Sequence, residues 1–286
     1  MRSVKHLIAA GAASLISTVA FAADMPSIMP PPPLYSPPPP VACCEDFGAW
    51  YLRGDIGFSN QNVKSLDNAL YYAPGTSVRN QGLGFDTAGI WGLGVGYQFN
   101  SWFRADFTGE YRGKSTFHGT DLVAINGVAN GADTYGGSKS EWLFLANAYA
   151  DLGTWWCVTP FVGVGIGGTR NTISSFTDQG VSFVAGVPTP SSAYAASASK
   201  WNVAYALHAG LAYKVNNSFT VEFAYRYLNL GDAYSGDIVA FDGTNNLNNP
   251  MHFKDITSQD LRFGVRWSLE PTPAYAPQPM PLIRKG

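Results

Sequence analysis

The chain has 286 residues, a formal net charge of −2, 13% charged residues and 14% aromatic ones. Near-neutral charge argues against a nucleic-acid partner, which would need a basic surface. A soluble enzyme of this size carries about a quarter charged residues, so low charge with abundant glycine and aromatics points to short-turned β structure facing something apolar.

The first segment reads as a targeting signal over residues 1–22. Arg2 and Lys5 precede an apolar run from Leu7 to Phe21, and Ala20-Phe21-Ala22 offers a small-x-small cleavage site. An uncleaved membrane helix is the other reading, disfavoured by the short run. No later run is long and apolar enough for a helical span. A chain that is exported and still crosses lipid must then do so as a closed barrel, because every backbone N–H and C=O has to pair internally.

Residues 23–47 are proline-rich, with Pro26, Pro30 to Pro33 and Pro37 to Pro40. Such a tract favours polyproline II and cannot join a sheet. It is a spacer, or a contact for the cell wall. The tail, 271–286, repeats the theme. The folded unit is therefore expected over 48–270.

Inside it, eight segments alternate with period two, which sends successive side chains to opposite faces. The first, about 48–59, sets Trp50, Leu52, Ile56 and Phe58 against Tyr51, Arg53 and Asp55. The second, 87–99, sets Trp91, Leu93, Val95 and Tyr97 against glycines. The third, 101–113, opposes Phe103, Phe107 and Tyr111 to Arg104, Asp106, Glu110 and Arg112. The fourth, 139–152, opposes Trp142 and Phe144 to Glu141, Asn147, Tyr149 and Asp151. The fifth, 158–169, alternates Val162, Val164 and Ile166 with Gly163, Gly165 and Gly167. The sixth, 200–215, opposes Trp201, Val203, Tyr205 and Leu207 to His208 and Lys214. The seventh, 218–230, opposes Phe219, Val221, Phe223 and Tyr225 to Glu222 and Arg226. The last, 256–269, opposes Leu261, Phe263, Val265 and Trp267 to Asp260, Arg262 and Arg266.

A soluble sandwich would show the same alternation. Three features favour an all-β, eight-stranded antiparallel up-and-down barrel in a membrane. Aromatics sit near the ends of the apolar faces, as interfacial girdles require. The segments are longer than the roughly 5–6 residues of soluble strands. Connections alternate between short turns, at 100–101, 153–157 and 216–217, and long polar ones, expected as loops over 60–86, 114–138, 170–199 and 231–255. Short periplasmic turns and longer outside loops are the barrel pattern, which leaves both termini in the periplasm.

"WYLRGDIGFS", "GIWGLGVGYQFNSWFRADFTGEYRG" and "QDLRFGVRWSL" carry a family resemblance. Over about 48–269 the chain resembles the opacity-type eight-stranded outer-membrane proteins, in particular alphaproteobacterial major outer-membrane proteins. The resemblance implies an outer-membrane location among lipid and lipopolysaccharide, assembly by the barrel insertion machinery, and a role in surface integrity or host contact. Such chains usually finish on an aromatic of the last strand. Here Glu270 to Gly286 follow Trp267.

The inward face is expected to carry Arg53, Arg104, Arg112, Lys214, Arg226, Arg262 and Arg266 opposite Asp55, Asp106, Glu110, Glu141, Glu222 and Asp260. An eight-stranded interior is just wide enough for side chains to fill. Paired charges would plug it, and the competing reading is a narrow, gated, porin-like ion path. Gly163 to Gly168 formally match a nucleotide-binding pattern, but no helix follows to complete it. Cys43, Cys44 and Cys157 fall at the expected periplasmic rim, where Cys157 can bridge Cys43 or Cys44. His118 and His252, in different outer connections, are candidates for haem capture, whereas His208 reads as part of the plug. No metal cluster or nucleophile–base pair stands out. The expectation is a non-enzymatic, cofactor-free surface or envelope-integrity protein, with a small channel or loop ligand binding as alternatives.

Overall fold

The computed structural model describes residues 49–269, all but one short turn of its regular structure being strand. The signal and proline-rich segments lie outside the described residues. The elements are β1 (Ala49–Asp67), a 3-10 turn (Ala69–Tyr72), β2 (Thr76–Phe85), β3 (Ala88–Gln98), β4 (Phe103–Ile125), β5 (Val128–Asp151), β6 (Val158–Val184), β7 (Val187–Ala195), β8 (Ala198–Lys214), β9 (Phe219–Tyr234), β10 (Ile238–Ala240) and β11 (His252–Ser268).

Antiparallel pairings run β1–β3–β4–β5–β6–β8–β9–β11 and return from β11 to β1, so eight strands close a ring with no free edge. β2 pairs with β4, β7 with β6 and β10 with β7, outside that ring.

The alternation dictates two faces. Trp50, Leu52, Ile56 and Phe58 of β1 point out and are exposed, while Tyr51, Arg53 and Asp55 between them are buried. The same parity puts Trp91, Tyr111, Trp142 and Trp201 outward at one level, and Trp50, Tyr97, Phe219 and Trp267 at the other. Leu93, Val95, Val164, Ile166, Val203 and Val265 fill the band between. Exposed apolar surface of this extent has one stable environment, hydrocarbon, and the two aromatic belts mark its interfaces.

The short turns are local chemistry. Asn100 Oδ1 accepts from the N–H groups of Trp102 (3.0 Å) and Phe103 (2.7 Å). Asn216 repeats the device with Ser218 and Phe219, both at 2.8 Å. Each Asn closes its turn with its side chain, the ordinary reason for Asn there.

The long connections differ from the polar loops expected. Most of 114–138 is strand: β4 and β5 run on and meet at Asn126-Gly127, both with positive φ (52° and 80°). That is the mirror-image two-residue turn that suits strand twist. Most of 170–199 is a second tall hairpin, turning at Ala185-Gly186 (φ 50° and 81°). In 60–86, β1 continues to Asp67 before the 3-10 turn and β2. Only 231–255 holds a longer irregular stretch, around the three-residue β10. Strand persists because buried residues continue on the inner face: Phe85, Phe117, Tyr135, Ile173 and Phe176 all lie in these segments.

Candidate functional site: the barrel lumen

Alternation delivers charged residues from every side of the ring to one axis, where strand curvature leaves no room for water-filled space. Starting at the short-turn end, Arg266 Nε lies 2.8 Å from Glu222, and Arg104 pairs with Glu222 and Asp151 at 3.2 Å each. The Arg104 guanidinium also lies over the Tyr149 and Phe161 rings, 4.3 and 4.6 Å from their centroids. Arg53 contacts Asp55 (2.8 Å), Asp106 (2.7 Å) and Glu222 (3.3 Å). Arg262 joins Asp55 (3.0 Å) to Glu110 (2.9 Å). Arg226 joins Glu110 to Asp260, both at 2.7 Å. Arg112 links Asp260 (2.7 Å) to Glu141, which also holds Lys139. Gln61 caps the chain, accepting from Lys139 at 2.9 Å and donating to Glu141 at 3.1 Å.

Several of these pairs span the lumen. Arg226 on β9 reaches Glu110 on β4, the strand diametrically across the ring, and Arg53 on β1 donates to the Tyr149 hydroxyl on β5 at 3.1 Å. The ion pairs therefore brace the wall as well as fill it. Arg53, Arg104, Arg112, Lys139, Arg226, Arg262 and Arg266 supply seven positive charges; Asp55, Asp106, Glu110, Glu141, Asp151, Glu222 and Asp260 supply seven negative ones. Every one of these residues is buried or nearly so, and charge survives burial only with partners of this quality.

Glycines make the space. A Cβ on Gly163 would strike the Tyr149 ring, and one on Gly165 the Asn147 amide. Asn147 in turn lies 3.1 Å from His208 Nε2, which places His208 in the plug. The glycine pattern at 163–168 thus lies mid-strand in β6.

Above the charges the lumen turns apolar. Val63, Phe117, Phe176, Leu228, Leu230, Phe253 and Ile256 belong to one buried cluster there, which reaches down among the ion pairs through Leu143 and Leu145, level with Glu110 and Thr108. Phe117 and Phe253 meet edge to face at 4.9 Å. Higher still, buried Asp121 accepts from the hydroxyls of Tyr71 and Tyr135 (3.1 Å for the latter) and from the Asn80 amide at 2.6 Å. Nearby Asp178 is held protonated more readily than usual: burial, then the charges of Asp133 and Asp121, push its carboxyl up to about 7.

Of the residues expected in the lumen, all but Lys214 sit in this ion-pair set. Lys214 occupies the last position of β8, at the turn. Asp151 was expected on the inner face but not among its paired charges; Lys139, Gln61 and Ser258, which accepts from Arg112 at 2.6 Å and donates to Asp260, were outside the expected set, although Lys139 shares the parity of Glu141. Cys157 is disulfide-bonded; Cys43 and Cys44 lie outside the described residues. His118 points out of β4, 3.9 Å from Asp86, while His252 stacks on Tyr234 and contacts Asp232 at 3.1 Å. The two histidines thus have separate partners. Among the described residues no group of His, Cys, Asp and Glu is placed to hold a metal.

A closed sheet, greasy outside and salt-filled within, defines a membrane-spanning β-barrel. Residues 37–268 match the outer membrane protein beta-barrel domain, and the chain belongs to that family, which places it in the outer membrane. A Brucella suis protein of no assigned role is 28% identical over 205 residues, covering 66% of this chain and 71% of its own. A candidate adhesin of Rickettsia prowazekii is 27% identical over 224 residues, 77% of this chain and 87% of its own. Among solved structures, OprG of Pseudomonas aeruginosa superposes with a TM-score of 0.44 at 13% identity, over 79% of this chain and 98% of that one. Neisserial surface protein A gives 0.39 at 15%, over 76% and 96%.

Proposed function

We propose that this protein is a closed outer-membrane pedestal that braces the envelope and presents its tall hairpins at the cell surface, rather than a pore or an enzyme. One observation carries the reading: the lumen is filled by charge-balanced, cross-braced ion pairs and roofed by the apolar cluster around Phe117 and Phe253. An ion crossing it would have to break several buried pairs and then pass hydrocarbon, and removing one partner of such a pair alone costs about 3–5 kcal/mol. The surface role also accords with the name of the Rickettsia relative. The leader expected at 1–22 supplies export, and the barrel insertion machinery supplies assembly.

Planar-bilayer recording tests the reading. The intact protein should give no steady conductance, and the double variant Phe117→Ala, Arg226→Ala should give small flickering currents. Sustained ohmic current from the unaltered protein would establish the gated channel instead.

A further inference from the structure

Just above the lipid-facing band, β1, β11 and β9 frame a groove of about 420 Å³ on the outer surface of the barrel wall. Two bulges make it. Asp255 and Gly231 have positive φ (50° and 64°), and the β11–β9 register slips on either side of Ile256. The Asp255 N–H leaves the ladder and donates to Asp232 at 3.1 Å, while the Gly231 N–H donates to Asn229 Oδ1 at 2.9 Å. Both displaced backbone donors are satisfied, so the gap persists without an orphaned group.

Its side-chain lining is Asn62, Lys64, Tyr227, Asn229, Asp255 and Thr257. Asn62, Thr257 and Asn229 face one another in a row across the three strands. Among the described residues, neither the Asn62 amide nor the Thr257 hydroxyl bonds to protein, and Asn229 commits only its oxygen. Amides and a hydroxyl of this kind match the vicinal hydroxyls of a sugar, and the Tyr227 ring offers the flat apolar face on which a pyranose stacks. Lys64, its side chain 76% exposed, is held at the rim by Asp255 at 3.2 Å. An exposed pair of that sort is weak, so a phosphate can capture the ammonium.

Depth selects the source of such a ligand. Phe58 and Leu261, exposed and apolar, lie four positions below Asn62 and Thr257 on the same strands. At about 3.3 Å per residue and a tilt near 40°, the groove stands roughly 10 Å above them, in the headgroup layer. We infer that the groove seats the phosphorylated sugar headgroup of an outer-leaflet glycolipid, whose acyl chains then run down over Phe58 and Leu261. The inference rests on the surface orientation proposed above.

Native mass spectrometry of the full protein in detergent tests it, with a bis-phosphorylated diglucosamine lipid as probe and phosphatidylglycerol as an anionic lipid lacking that sugar. The glycolipid should remain bound, at least tenfold tighter than phosphatidylglycerol. Lys64→Ala with Asn62→Ala should abolish that preference. Should the double variant lose its folded gel mobility, Thr257→Val alone should still weaken glycolipid binding severalfold. Equal retention of both lipids, or glycolipid binding that the variants leave unchanged, would overturn the site. Orientation is read separately, by labelling Thr189→Cys on intact cells with an impermeant maleimide. Labelling together with unchanged glycolipid binding in the variants would remove the site and leave the surface reading standing; no labelling would remove the surface reading whatever the detergent result.

Discussion

Arg226 shows how much one side chain does here. Its guanidinium donates to both Glu110 oxygens, at 2.8 and 2.7 Å, and to Asp260 at 2.9 and 2.7 Å. Replacing it with Met preserves volume but leaves Glu110 to Arg262, and Asp260 to Arg112 and the Ser258 hydroxyl. Arg226→Met should lower stability by about 3–5 kcal/mol, read as a fall in the urea midpoint of protein folded into lipid vesicles. Asp178 gives a pH dependence instead. A carboxyl raised to about 7 by burial takes up a proton on folding, since the unfolded value is about 3.9. Stability of the outer hairpins must therefore rise as pH falls from about 8 toward 4 and drop as pH climbs through 7. Burial raises Asp133 in the same direction. Hydrogen exchange of the β5–β6 amides above Phe176, corrected for intrinsic rates, should be slower at pH 5.5 than at pH 8. Asp178→Asn should erase much of the difference; a dependence of opposite sign would contradict the assignment.

At the level of strands and turns, the alternation of aromatic and charged residues made the membrane spans legible, because period two survives wherever one face meets lipid. Beyond the belts it failed for a physical reason. Bulges near Gly113, Ser175 and Asp255 shift the inner face by one residue, so that even Arg112 points inward below the first bulge and odd Ser115 and Phe117 above it. Counting straight through them puts Phe117, Phe176 and Phe253 all on the outer face and hides the apolar roof. Composition misled as well: the Thr, Ser, Asn and Gly of 114–138 read as loop, although Asn126-Gly127 is a strong hairpin signal. Most of the ion-pair set was readable by parity, and its partners were not, because pairing depends on which strands lie opposite. The upper hairpin should be dispensable to the barrel. Replacing residues 183–188 with Asn-Gly removes only β6–β7 pairings, outside the ring, and the urea midpoint should correspond to a change of about 0.5 kcal/mol or less, the scale of surface substitutions.

Taken whole, the molecule is a closed ring whose hydrogen bonds are made within itself, so unfolding must break many at once. Unheated samples in detergent should migrate differently from boiled ones, and a single broad mobility unaffected by heat would count against a closed barrel. The base carries a covalent tie. Unreduced proteolysis should recover the Cys157 peptide joined to the one bearing Cys43 and Cys44, and reduction should release it; recovery of a free Cys157 thiol would dismiss that pairing.

The strands are not equally tall. β4, β5 and β6 rise well past the aromatic belt, with Val128 to Glu141 above Trp142, whereas β11 adds only His252 to Asp260 above Leu261. The usual rise makes the high side about 35 Å. In the ring, β5 stands opposite β11. The protein therefore has a compass bearing within its leaflet: a screen to one side, an open doorstep to the other. Neighbours in a crowded bilayer cannot be indifferent to its rotation, and anything descending from above is shielded or admitted according to the azimuth from which it comes.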